Sequence, residues 1–219
     1  MILILFTCFI KAEGVPEVGV TIGTSQYMGD LNRSNLFYQP SMSGGINFTY
    51  NMNTRMGIRT QISYLSLKGN GTLKYITNYD SANIFNFKSN YIHYKVSYFI
   101  NFLDYNFKLK KDNFTPYFIT GLGISRLLSS NSNADSHYTI NFGPGVKLLI
   151  KNRLTVGMEY TFVRASKDVV DGENIVNFGD YLNDDKEFKS KLNNVDWYSY
   201  LSLVITFKFI NFAEDCPAY

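Results

Sequence analysis

Hydrophobic and polar residues alternate with a period of two along most of the chain, the repeat of a strand whose two faces meet different surroundings. In "PEVGVTIGT", Val18, Val20 and Ile22 share one face and Gly19, Thr21 and Gly23 the other. "SGGINFTY" sets Ile46, Phe48 and Tyr50 against Gly45, Asn47 and Thr49, and "RMGIRTQISY" sets Met56, Ile58, Ile62 and Tyr64 against Gly57, Arg59, Gln61 and Ser63. The fourth segment, "YIHYKVSYFINF", is the clearest: Ile92, Tyr94, Val96, Tyr98, Ile100 and Phe102 alternate with His93, Lys95, Ser97 and Asn101. Four more follow, within "TPYFITGLGIS", "YTINFGPGVKLLI", "LTVGMEYTF" and "DWYSYLSLVITFKF". The pattern predicts eight strands.

Alternation alone also fits a water-soluble sandwich; the polar face decides between the two. It carries Gly, Ser, Thr and Asn with only Arg59, Lys95, Lys147, Glu159 and Lys208 as charges, while the apolar face is continuous and ends in Tyr, Phe or Trp. A face turned to water would carry more charge. A membrane barrel puts the apolar face against lipid, with aromatic girdles at both interfaces, and its polar face inside. Lipid leaves no backbone group unpaired, so the sheet must close. The expectation is an all-β fold, an eight-stranded antiparallel transmembrane β-barrel with short periplasmic turns, long outer loops and a periplasmic C-terminal tail.

The connections follow the same scheme. "NMNT" and "KNR" are short, Leu103 to Asn113 is longer, and Met28 to Ser41, Lys68 to Lys88 and Ala165 to Asn194 are long. An even strand number returns both termini to the periplasmic side. The apolar run Ile2 to Ile10 is too short to span a bilayer as a helix. It resembles the core of an export signal with Ala12 at the cleavage point. The expected organisation is therefore a signal over 1–12, a barrel over 13–210 in the outer membrane, and a tail over 211–219 in the periplasm.

Composition narrows the function. The 219 residues include 17 Tyr and 18 Phe but only 18% charged side chains, with a net charge of +3. So small and scattered a surplus, without a basic aromatic motif, speaks against nucleic acid. Eight strands leave room only for the barrel's own side chains, so no open pore is expected. Arg59, Lys95, Lys147, Glu159 and Lys208 read as an internal polar network, because an unpaired buried charge costs several kcal/mol. Arg126 and Arg164 have lipid-facing parity near the outer strand ends, where they meet lipopolysaccharide phosphates or water. Ser136 and His137 are adjacent in an outer loop, and some small outer-membrane barrels hydrolyse lipid A with a serine and a histidine. Adjacency alone does not make a nucleophile–base pair. No catalytic residue, metal ligand set or cofactor is assigned.

Four short motifs occur in order: "QYMGDL" after the first strand, "DYLND" in the last long loop, "DWYSY" opening the last strand, and terminal "CPAY". Together they resemble a family of Bacteroidetes outer-membrane barrels that includes the PorG component of the type IX secretion system. The resemblance implies a non-enzymatic barrel that fixes a periplasmic ring of secretion proteins, including a lipoprotein, to the outer membrane. Partner-binding residues are then expected in the tail (Cys216, Pro217 and Tyr219) and in the basic, partly apolar turn with Lys108, Lys110 and Lys111. An odd cysteine in an oxidising compartment is either a free thiol or one half of an intermolecular disulfide, here through Cys216 to the ring. The alternative is a free-standing protective or adhesive barrel acting through its outer loops.

Overall fold

The computed structural model describes residues 14–28, 37, 39–72, 84–105, 113–128, 136–151, 153–166 and 197–208. Its elements are β1 (Val15–Met28), β2 (Ser41–Asn51), β3 (Met56–Thr72), β4 (Ile84–Asn101), β5 (Phe114–Leu127), β6 (Ser136–Lys151), β7 (Leu154–Ala165) and β8 (Trp197–Lys208). All pair antiparallel with their sequence neighbours, and β1 pairs β8 from Glu17↔Lys208 to Met28↔Trp197, closing the sheet. Tracing paired residues from Glu17 around the barrel returns to β1 at Tyr27 rather than at Glu17. The sheet is therefore sheared, and its strands tilt against the barrel axis.

Burial is inverted relative to a water-soluble protein. Apolar side chains face out (Ile46 is 61% exposed and Leu122 68%), whereas Arg59, Lys95, Glu159 and Lys208 are buried. Only a hydrocarbon surround favours this arrangement, since water would leave the belt unsolvated and the charges desolvated at once. At the long-loop end the belt is trimmed with packed aromatics. Phe142 stacks on Phe162 at 5.8 Å, Trp197 meets Phe142 edge-on at 6.2 Å, and Tyr160 meets Phe162 at 4.9 Å.

Two features depart from the sequence expectation. The strands β3 and β4 pair as far as Thr72↔Ile84, so much of the stretch expected as a loop from Lys68 to Lys88 is hairpin ladder. Their 17 and 18 residues exceed the roughly 9–11 that a tilted strand needs to cross a bilayer, so the hairpin outgrows the belt. Ser136 and His137 are also not loop residues; they open β6.

Glycine sets the local shape of β6. A side chain at Gly143 would meet the Tyr160 carbonyl oxygen at 1.9 Å, and one at Gly145 would meet the Tyr117 ring at 2.5 Å. The first lets β7 approach closely; the second clears the space that Tyr117 fills. At the short-turn end, Asn53 Oδ1 accepts from the amides of Arg55 (2.8 Å) and Met56 (2.9 Å), the side-chain-to-backbone closure that suits Asn to so tight a reversal.

Candidate functional site

Among the described residues, the barrel interior is organised around two apolar clusters. At the long-loop end Tyr27, Leu65, Leu67, Tyr91, Val163, Ala165, Tyr198 and Tyr200 form one apolar cluster. Nearer the short turns Phe99, Tyr117 and Ile119 form another. Of the charged side chains, Lys95 reaches Tyr200 of the first cluster, while Arg59 and Lys147 lie against the second.

Arg59 and Glu159 form an ion pair between Nη1 and Oε2 across the interior. Tyr117 donates its hydroxyl to the same carboxylate oxygen at 2.5 Å, and Arg59 Nε donates to Thr49 Oγ1 at 3.0 Å. The guanidinium carbon stands 5.6 Å from the Phe99 ring centre and 5.8 Å from that of Tyr117. Glu17 accepts from Asn51 Nδ2 at 2.9 Å and from Thr206 Oγ1 at 2.6 Å. Lys95 donates to the Tyr200 hydroxyl. Lys147 places its ammonium 4.4 Å from the ring centres of both Phe99 and Tyr105, and Lys208 lies 5.7 Å from Tyr105.

Among the described residues the interior thus holds four cations, Arg59, Lys95, Lys147 and Lys208, against two carboxylates, Glu17 and Glu159. Ring faces offset part of the surplus, since a desolvated cation over an aromatic face gains about 2 kcal/mol.

The short-turn mouth is shut by Tyr105. Chain leaving β4 bends inward here, and the ring is 1% exposed. Its hydroxyl lies 2.8 Å from Thr155 Oγ1, and its amide donates to the Thr54 carbonyl at 3.1 Å. Asp104, next to it, takes a two-pronged contact from Arg55 at 2.6 and 3.1 Å. That hydrogen bond, with the positive charge behind it, holds the Asp104 carboxyl below its ordinary value, and it raises Arg55 in turn. Asn101 and Thr115 add bonds to the Thr54 and Leu103 carbonyls. The first two turns at this end are therefore stitched together.

Ser136 and His137 fall on opposite faces of β6. Ser136 points outward and exposed, and His137 lies inside, edge-on to Tyr91 at 5.8 Å. Strand alternation keeps them from acting as a pair. His93 is fully buried with Nε2 3.1 Å from Thr139 Oγ1. Among the described residues no three His, Cys, Asp or Glu side chains gather as a metal site. Arg126 is exposed and Arg164 half-exposed on the outer face, Arg164 lying 5.8 Å from the Trp197 ring. Lys108, Lys110, Lys111, Cys216, Pro217 and Tyr219 lie outside the described residues, as do "DYLND" and the terminal motif.

Glu17, Phe99, Tyr105 and Tyr117 were not singled out by the sequence. Inward parity was the available signal for Glu17, Phe99 and Tyr117; Tyr105 lies in a turn and gave none. The structure also joins two of the sequence motifs. Tyr27 of "QYMGDL" pairs with Tyr198 of "DWYSY", and Ser199 Oγ donates to Gln26 Oε1 at 3.1 Å, at the seam where the barrel closes.

A closed eight-stranded sheet, apolar outside and filled with polar side chains, defines a small β-barrel of the outer-membrane kind. The chain belongs to the family described as a domain of unknown function (DUF6089), whose model matches residues 1–218. No protein of curated function matches it in sequence. Among solved structures it is similar to Neisserial surface protein A at 12% identity, TM-score 0.49, covering 89% of this chain and 97% of that one. It is also similar to the N-terminal β-barrel domain of Pseudomonas aeruginosa OprF at 11% identity, TM-score 0.47, covering 89% and 100%. Ail, the attachment invasion locus protein of Yersinia pestis, follows at 13% identity, TM-score 0.44, covering 89% and 99%. Likeness at this level says nothing of ligands or partners.

Proposed function

We propose that the chain is a non-enzymatic outer-membrane barrel of the type IX protein secretion machinery, a PorG-like member that anchors a periplasmic ring complex to the outer membrane. The observation that carries this reading is the filled interior, with the short-turn mouth closed by Tyr105. Nothing the size of a polypeptide passes such a barrel, so a role in export is exercised from its surfaces. The ordered motifs of the sequence point the same way. On this reading the turn bearing Lys108, Lys110 and Lys111 grows from the platform stitched by Arg55 and Asp104. That turn and the tail with Cys216, Pro217 and Tyr219 both hold the ring, which includes a lipoprotein. Cys216 supplies the disulfide if the link is covalent.

The test is recovery of the barrel from mild detergent with and without residues 211–219. Loss of the same periplasmic partners from the truncated chain supports the anchor; their full retention contradicts the tail's part in it. Non-reducing gels of Cys216→Ser cells test the covalent link, which requires a higher-mass band to vanish. A second reading, a free-standing protective or adhesive barrel, is favoured by the β3–β4 hairpin standing past the belt. It requires the function to fail when the hairpin tip is shortened and to survive removal of the tail.

A further inference from the structure

Among the described residues, three cations of the outer face lie on the neighbouring strands β3, β4 and β5. Lys68 on β3 and Lys88 on β4 are direct cross-strand partners, both exposed and both on the face that the apolar belt occupies lower down. On β5 Arg126 sits abreast of Ile92, four residues below Lys88 on β4, about 13 Å at 3.3 Å per residue. Arg164 lies apart from them on β7, beside Trp197 within the aromatic trim. Among the described residues, no carboxylate pairs with Lys68, Lys88 or Arg126.

Like charges set directly opposite on a ladder destabilise it. This pair stands where the belt gives way to longer strands, the level of lipid headgroups. A shared anion turns its repulsion into attraction, and guanidinium and ammonium groups suit phosphate oxygens. The separation of Arg126 from the lysine pair asks for more than one phosphate on the same ligand. We infer that Lys68, Lys88 and Arg126, on the three neighbouring strands β3, β4 and β5, form a binding site for the multiply phosphorylated headgroup of an outer-leaflet amphiphile. It depends on the barrel lying in an outer membrane with its long loops outward, and not on the secretion role.

Isothermal titration calorimetry reads occupancy. The full chain, refolded in neutral detergent, is titrated with lipid A, with phosphatidylglycerol and with inorganic phosphate. Lipid A is expected to give a saturable change that the other two do not. The double substitution Lys68→Gln with Lys88→Gln weakens it on the order of thirty-fold, about five-fold per lysine, while Lys68→Arg with Lys88→Arg retains it. Melting supplies a second readout: Lys68→Gln raises the melting temperature without lipid A and lowers it with saturating lipid A, relative to the unaltered chain. Lipid A affinity unchanged in the glutamine variant, or equal binding of phosphatidylglycerol or free phosphate, overturns the inference. Pull-down of periplasmic partners is unaffected either way, which separates this result from the secretion reading.

Discussion

Arg59 and Glu159, 100 residues apart in sequence and on opposite walls of the barrel, form an ion pair that is shielded on one side by Phe99 and Tyr117. The carboxylate carries a further bond from Tyr117 and the guanidinium one from Thr49, so the pair is embedded in a network rather than isolated. It ties β3 to β7 through the interior, a link that the sheet ladder does not supply.

Removing one partner strands the other charge. Glu159→Ala should destabilise the refolded barrel by about 3–5 kcal/mol, and the double variant Arg59→Leu with Glu159→Leu should recover most of that loss. Urea unfolding in detergent, followed by circular dichroism, measures both. Equal losses in the single and double variants would show that the pair itself, not the orphaned charge, sets the cost.

Tyr105 closes the interior, so Lys147 and Lys208 should react slowly with a water-soluble amine reagent in the folded barrel. Tyr105→Ala should open both to modification, read by mass spectrometry of the peptides that contain them. The unaltered barrel should also show no resolvable ionic conductance in planar bilayers. Fast modification of the unaltered barrel would refute the cap.

Space beside Tyr117 is set by Gly145. Gly145→Val places its Cβ where the ring now lies, and the overpacking should cost about 1–3 kcal/mol. Pairing it with Tyr117→Ala should relieve the clash while losing the hydroxyl bond to Glu159. The thermal melts of the three variants test this coupling.

Asp104 supplies a pH dependence outside the membrane-spanning part. Its carboxyl is held below the ordinary value of 3.8 by the hydrogen bond from Arg55 and the attraction of that charge. The contribution of the contact is present above 3.8 and is lost as the pH falls through the lowered value. It is small, since both side chains are more than half exposed. Nuclear magnetic resonance of the neighbouring Tyr105 amide should titrate below 3.8, and Arg55→Gln should move that midpoint up. An unmoved midpoint would remove Arg55 as the cause.

Much of this architecture was legible because lipid and a packed interior impose opposite chemistry on alternate residues. That contrast identified the eight strands, and parity alone turned Arg59, Lys95, Lys147, Glu159 and Lys208 toward one another. Which of them pair was not legible, because Arg59 meets Glu159 only through a register running across β4, β5 and β6. Phe99 and Tyr117 escaped notice because an apolar residue at an inward position looks like noise in an alternating pattern, though inside the barrel it screens a cation. Tyr105 lies in a turn, where no periodicity marks a side chain that folds back. The full length of the β3–β4 hairpin was not legible because the apolar residues of the belt parity break off at Tyr64 and Ile92, and Ser66, Lys68, Asn86, Lys88 and Asn90 follow at the same parity.

The central claim is a sheet closed on itself with lipid outside and side chains within. Nitroxide labels placed singly from Ile92 to Ile100 of β4, in a Cys8→Ser, Cys216→Ser background, test it in reconstituted bilayers. Collisions with lipid-soluble oxygen should be high at 92, 94, 96, 98 and 100 and low at 93, 95, 97 and 99, with little access to a water-soluble relaxant in either set. High aqueous access at the odd positions, or loss of the two-residue period, would contradict the filled barrel.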